Sequence, residues 1–136
     1  MLELSNKNTF TKDEKLCSAK AIDTLFSAGE SFIAYPLRVV YLLHEESEFD
    51  RQNASVMISV SKRKFKRAVK RNRVKRLIRE VYRLNKHDLI ALLDRQNKHV
   101  DIAFLYLKDE LPEFSEMEKS VLKAVSILTD KMEKRR

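Results

Sequence analysis

Glycine is nearly missing from this chain: Gly29 is the single one among 136 residues. That excludes the common glycine-rich phosphate loops, which need several glycines at fixed spacing. Cysteine is as scarce, and a lone Cys17 cannot close an internal disulfide. The core must therefore hold without covalent staples, which suits a reducing compartment. Tryptophan is absent, and the prolines are Pro36 and Pro112. No stretch approaches the roughly 18 consecutive apolar residues of a membrane span. The opening residues MLELSNKNTFTK lack a signal-peptide pattern. The expectation is a cytoplasmic protein with no membrane partner and no small-molecule ligand.

What is present fits one domain, 1–136, with a core over about 15–132. The length supports a real hydrophobic interior, and 43% hydrophobic residues exclude a wholly disordered chain. Charge is the distinctive feature. Residues 62–86, KRKFKRAVKRNRVKRLIREVYRLNK, hold 13 Lys and Arg against one acid, Glu80, a net of +12. Outside them lie 15 of the chain's 28 basic residues and 19 of its 20 acids, so the rest is slightly acidic. A dense basic block inside an acidic protein is the footprint of a polyanion-binding surface.

Hydrophobic periodicity gives the elements. Residues 19–28 place Ile22, Leu25 and Phe26 on one helical face, and Gly29 follows where a left-handed residue would end the helix. Residues 32–43 are rich in β-branched and aromatic side chains, with Pro36 suggesting an edge or a bulge. Residues 55–60 form a second strand, and 101–107 a third, apolar enough to be central. A short helix is expected near 88–96. Ser115-Glu116-Met117-Glu118 fits a capping box, ahead of a terminal helix that buries Val121, Val125, Leu128 and Met132. The order of elements reads as a mixed α/β or α+β sandwich with one layer of sheet; the class taken forward is α+β, with the mixed sheet that the resemblance given below implies.

Within the basic block a helix starts near Lys66. At 100° per residue Val74, Leu77, Ile78, Val81 and Leu84 share the buried arc. Asn72, Arg76, Arg79 and Arg83 form a stripe opposite, flanked by Lys75 and Arg73, and Glu80 is spaced to pair with Arg76. Like charges along a helix repel, so this pattern makes better sense with an anion bound. Arg forks suit phosphate oxygens and stack on bases. The residues alone leave several functions open: a ribosomal or RNA-chaperone type of RNA binder, a helical DNA reader, or a self-sufficient nuclease. No nucleophile–base pair and no carboxylate cluster for two metals is visible. His44, His87 and His99 lack a second ligand at metal spacing. The acidic connection with Glu45, Glu46, Glu48 and Asp50 lacks the calcium-loop pattern.

Ser59-Val60-Ser61-Lys62-Arg63, followed by 68–80 with Arg71-Asn72-Arg73, Lys75-Arg76 and Arg79-Glu80, resembles the signature of the bacterial ribonuclease P protein subunit. Lys15-Leu16, Ile22, Leu25-Phe26 and Gly29 resemble that family's N-terminal pattern, and Asp101-Ile102-Ala103-Phe104 its last strand. The resemblance implies a four-stranded sheet in α-β-β-β-α-β-α order with a left-handed βαβ crossover, of the kind named for the second domain of ribosomal protein S5. It also implies a role in an RNA-based endonuclease that removes the 5′ leader of precursor tRNA with Mg²⁺ held mainly by RNA. By position, Arg71, Asn72, Arg73, Lys75, Arg76 and Arg79 would face the catalytic RNA subunit. Phe26, Ser59, Ser61, Lys62 and Arg63, with Lys66 and Arg67 beside them, would line a leader cleft between the sheet and the basic helix. No catalytic residue and no metal ligand is carried over to this chain.

Three positions depart from the family pattern. Ile22 stands where the first of two helix Phe residues is usual, and Met57 where a Gly is frequent. Lys64-Phe65-Lys66-Arg67 replaces a loop that often contains Gly. Phe32, Tyr35 and Tyr41 are the candidate replacement aromatics.

Overall fold

Alternate side chains of one sheet pack into two separate clusters, one on each of its faces. In the computed structural model, which describes residues 15–44 and 54–134, the elements are α1 (Ala19–Ala28), β1 (Glu30–Ala34), β2 (Leu37–His44), β3 (Ala54–Val60), α2 (Ala68–Asn85), α3 (His87–Gln96), β4 (His99–Tyr106) and α4 (Phe114–Lys134). The strand order is β1-β2-β4-β3. The β1–β2 and β2–β4 pairs are antiparallel, and β3–β4 is parallel. The sheet is mixed and the class α+β, one of the two classes the hydrophobic pattern left open and the one the resemblance implied. Strand β4 is buried along nearly its whole length, which is what an apolar run between two neighbours requires.

On one face Leu37, Val39, Tyr41, Val56, Val60, Ile102 and Phe104 meet α2, α3 and α4 in the main core. Phe104 packs edge-on against Tyr82 of α2, ring centroids 5.8 Å apart. Burying a side chain of this size contributes about 1.5–3 kcal/mol. On the other face a smaller cluster forms under α1 from Leu16, Leu25, Val40 and Ala103, with Ile22 and Met57 packed against it.

Four local expectations need correction. The run 32–43 is two antiparallel strands, with Tyr35 and Pro36, joined by a cis bond, at the turn between β1 and β2. Pro36 therefore marks a hairpin turn instead of a bulge. Gly29 does end α1, but with extended backbone (φ −77°, ψ 165°). Its necessity is steric: a Cβ there would stand 2.4 Å from the Leu25 carbonyl oxygen and 2.8 Å from that of Tyr41. Helix α4 begins at Phe114, so Ser115 lies inside the first turn and not ahead of it as a cap. Two helices, α2 and α3, occupy the connection between the parallel strands where the implied order has one, and Lys86 alone separates them. The acidic connection and the N-terminal residues through Glu14 lie outside the described residues.

Candidate nucleic-acid interface

Helix α2 is amphipathic in an unusual sense, apolar on one side and cationic on the other. Val74, Ile78, Val81 and Tyr82 are buried against the sheet and α4. Leu84, expected on that arc, is 39% exposed, and Tyr82 takes the place at the end of the buried stripe. On the opposite side Asn72, Arg73 and Arg76 are exposed, while Lys75, Arg79 and Arg83 are half-buried. The first turn has no acidic residue, so the positive end of the helix dipole is left beside further cations. Glu80 does not pair with Arg76. It accepts from Arg83, whose Nε lies 3.3 Å from Oε1, and that bond first, with the Arg83 charge, holds its carboxyl below the ordinary value against a smaller opposing effect of burial. The acid is turned away toward the end of the helix, and Arg73 and Arg76 keep their charge toward solvent.

Arg71 behaves differently from its neighbours. Its guanidinium donates to the carbonyl oxygens of Phe65 at 2.7 Å and Lys66 at 3.0 Å. It fastens the loop 61–67 to the first turn of α2, so its role is largely internal. The loop has a second anchor in Phe65, buried in the core with its ring 6.1 Å from that of Tyr106. The Phe65 amide donates to the Ser61 carbonyl at 3.0 Å, and the Arg63 amide to Ser61 Oγ at 3.1 Å. With the backbone tied at both ends, Lys62, Arg63, Lys64, Lys66 and Arg67 are all exposed. Lys64 reaches across to donate to the Leu107 carbonyl oxygen. The Phe at the centre of this cationic run escaped sequence reasoning, and its isolation among five cations was the available signal.

Among the described residues, the side of α2 that faces the sheet is packed into the main core. Open sheet surface is found on the α1 face. Ser59 alternates with the core-facing Ile58 and Val60 and so points to that side, half-buried, and Ser61 is likewise half-buried. Phe26, one turn beyond Ile22, is 46% exposed and not a core residue. Of the candidate replacement aromatics, Phe32 and Tyr41 pack together on the helix-covered face, centroids 5.9 Å apart. The Tyr41 hydroxyl donates to Glu30 at 3.0 Å. Only Tyr35, at the hairpin turn and 62% exposed, offers its ring to solvent. Ile22 and Met57, two of the departures from the family pattern, pack in one cluster under α1.

The same sheet face carries a polar cluster that the sequence did not announce. His44 and His99 face each other across β2 and β4, and both Nε2 atoms contact the Asp101 carboxylate, at 3.0 Å and 2.8 Å. His99 is buried. Burial is the largest influence on Asp101 and opposes ionisation, yet the hydrogen bonds and charges of His99 and His44 together hold its carboxyl below the ordinary value. Cys17 is exposed. Among the described residues no group of three or more His, Cys, Asp or Glu is arranged to hold a metal ion. No helix among them is long and apolar enough to cross a membrane.

Comparison with known proteins agrees with this architecture. The family model described as Ribonuclease P matches residues 10–129. The ribonuclease P protein component of Porphyromonas gingivalis is 47% identical over 115 residues, covering 85% of this chain and 82% of that protein. That of Chlorobium phaeobacteroides is 36% identical over 106 residues, covering 74% and 73%. Among solved structures, the ribonuclease P protein of Thermotoga maritima superposes with a TM-score of 0.65 at 21% identity, covering 84% of this chain and 96% of that one. The Staphylococcus aureus protein gives 0.63 at 19% identity, covering 84% and 94%. The last two likenesses carry the fold; the sequence matches carry the family, and the chain belongs to the protein components of ribonuclease P.

Proposed function

We propose that this protein binds the ribonuclease P RNA subunit through the outer side of α2 and binds the 5′ leader of precursor tRNA along the α1 face of the sheet, while RNA carries the cleavage chemistry. The observation that carries the reading is the separation of charge on α2. Arg73 and Arg76 face solvent with Asn72 one turn before Arg76, and the one acid of the block is drawn off by Arg83. Lys75 and Arg79 flank them, and Arg71 acts by holding the loop. Structured RNA is gripped through phosphates and shape, which suits a rigid helix presenting guanidinium forks.

For the leader, Phe26 offers a stacking face, with Ser59 and Ser61 along the sheet end. Lys62, Arg63, Lys66 and Arg67 continue the track as a cationic rim. A single strand needs stacking platforms and a basic path, not base-edge readout. The described carboxylates do not fit a two-metal centre, so in this reading the Mg²⁺ of the reaction belongs to the RNA subunit and substrate. The protein's own contribution is to position RNA strands and to offset their phosphate repulsion.

The binding half is tested by titrating a bacterial ribonuclease P RNA with wild-type protein, Arg73→Ala and Arg76→Ala over a salt series. Each lost phosphate contact reduces the slope of log affinity against log salt by somewhat under ~1. Both residues lie off the buried arc, so the melting temperature should hold. Unchanged slopes in both variants would put the RNA on another surface.

A further inference from the structure

Beside the cationic side of α2 the chain keeps two large apolar side chains out in solvent. Leu111 is 40% and Phe114 48% exposed. Both belong to the passage from β4 into α4, and that passage is fixed from several directions. The Leu107 amide donates to the Pro36 carbonyl at 2.8 Å. The Tyr106 hydroxyl donates to the Glu110 carbonyl at 2.7 Å, and Lys108 pairs with Glu116 of α4 at 2.9 Å. So held, Leu111 and Phe114 close one groove of about 480 Å³ with Leu77, Arg73 and Arg76 of α2. That volume is in the range of small-ligand sites. Leu77, Leu111 and Phe114 give it an apolar part, and Arg73 and Arg76 a cationic one. Glu80 also borders it, but its carboxylate is engaged with Arg83.

We infer that this groove receives a single unpaired nucleotide of the RNA subunit, its base lying on Phe114 and Leu111 and its phosphate between Arg73 and Arg76. The inference rests on the reading that α2 faces that RNA. An aromatic ring lining the same groove as two guanidinium groups matches a nucleotide in both of its parts. The base has a π-face that any aromatic platform accepts, and the phosphate answers the guanidinium forks. A paired helix presents no free base face, and an apolar peptide would leave both arginines without a counter-charge.

The test measures binding of a bacterial ribonuclease P RNA to wild-type protein, Phe114→Ala, Phe114→Tyr and Leu122→Ala over a salt series. Leu122 is an exposed apolar residue of α4 that does not line the groove. Loss of one stacked base weakens binding about 5- to 150-fold. We expect that loss for Phe114→Ala, with the salt slope unchanged because no phosphate contact is removed. Phe114→Tyr and Leu122→Ala should bind as wild type does. Equal affinity of wild type and Phe114→Ala overturns the inference and leaves the α2 reading standing, whereas a wild type that does not bind the RNA overturns both. Should Phe114→Ala fail to fold, p-benzoylphenylalanine at position 114 decides. Photo-crosslinking to one unpaired nucleotide supports the proposal; crosslinking to paired RNA, to a second protein or to nothing overturns it.

Discussion

Phe26 shows how one exposure value separates two roles that sequence leaves mixed. An aromatic at helical spacing beside Ile22 and Leu25 reads as core, and Leu25 is indeed fully buried. Phe26 is 46% exposed, so Phe26→Ala should lower the melting temperature little. In the leader reading the same change weakens precursor tRNA with a multi-nucleotide leader by about 5- to 150-fold and hardly affects mature tRNA. Equal loss for both RNAs would move the leader track elsewhere. The departures at Ile22 and Met57 also resolve at this scale. Both are partly buried and pack against the cluster under α1, so each departure is absorbed by packing on that face.

At the scale of elements, the loop 61–67 matters as much as the helix it leads into. Five exposed cations would repel one another in a mobile loop. Here Phe65 in the core and the Arg71 guanidinium on two carbonyls hold them in one arrangement. Phe65→Ala should cost about 3–5 kcal/mol, as for other buried Phe residues, read as a lower melting temperature. It should also raise protease sensitivity within 61–67. A variant that melts normally and resists cleavage there would show that the anchor is elsewhere. The regular elements were legible in the sequence because their hydrophobic periods are strong, as in β4 and the Val121, Val125, Leu128, Met132 face of α4. The basic stripe of α2 was legible for the same reason. Features set by a single geometric event were not: the turn at Tyr35 and Pro36 that divides 32–43, the extended Gly29, and the partner of Glu80. The inward turn of Phe32 and Tyr41 depends on register, and a one-residue shift would reverse it.

Across the whole molecule the two sheet faces divide the work. The helix-covered face supplies the main core, and the other keeps polar groups, among them the His44–Asp101–His99 cluster. Because the folded-state carboxyl of Asp101 titrates below its unfolded value near ~3.9, its contribution to stability is present above that value. It is lost as pH falls through the lower folded value. Asp101→Asn should therefore melt lower than wild type at neutral pH, with the difference shrinking on acidification below about pH 4. A difference independent of pH would mean that the carboxylate's charge is not what the histidines hold. The cluster was hidden in the sequence because His44 and Asp101 are far apart along the chain and meet only through the β2–β4 register. The charge division between α2 and the rest of the chain is the molecule's central feature, and the proposed function rests on it. The most direct measurement is cleavage of precursor tRNA at low Mg²⁺ by a bacterial ribonuclease P RNA, with and without this protein. The account predicts that the protein alone cleaves nothing, and that adding it to the RNA lowers the Mg²⁺ required, since its side chains replace cations that otherwise screen phosphate repulsion. Cleavage by the purified protein without RNA, surviving nuclease pretreatment, or an unchanged Mg²⁺ requirement, would contradict it.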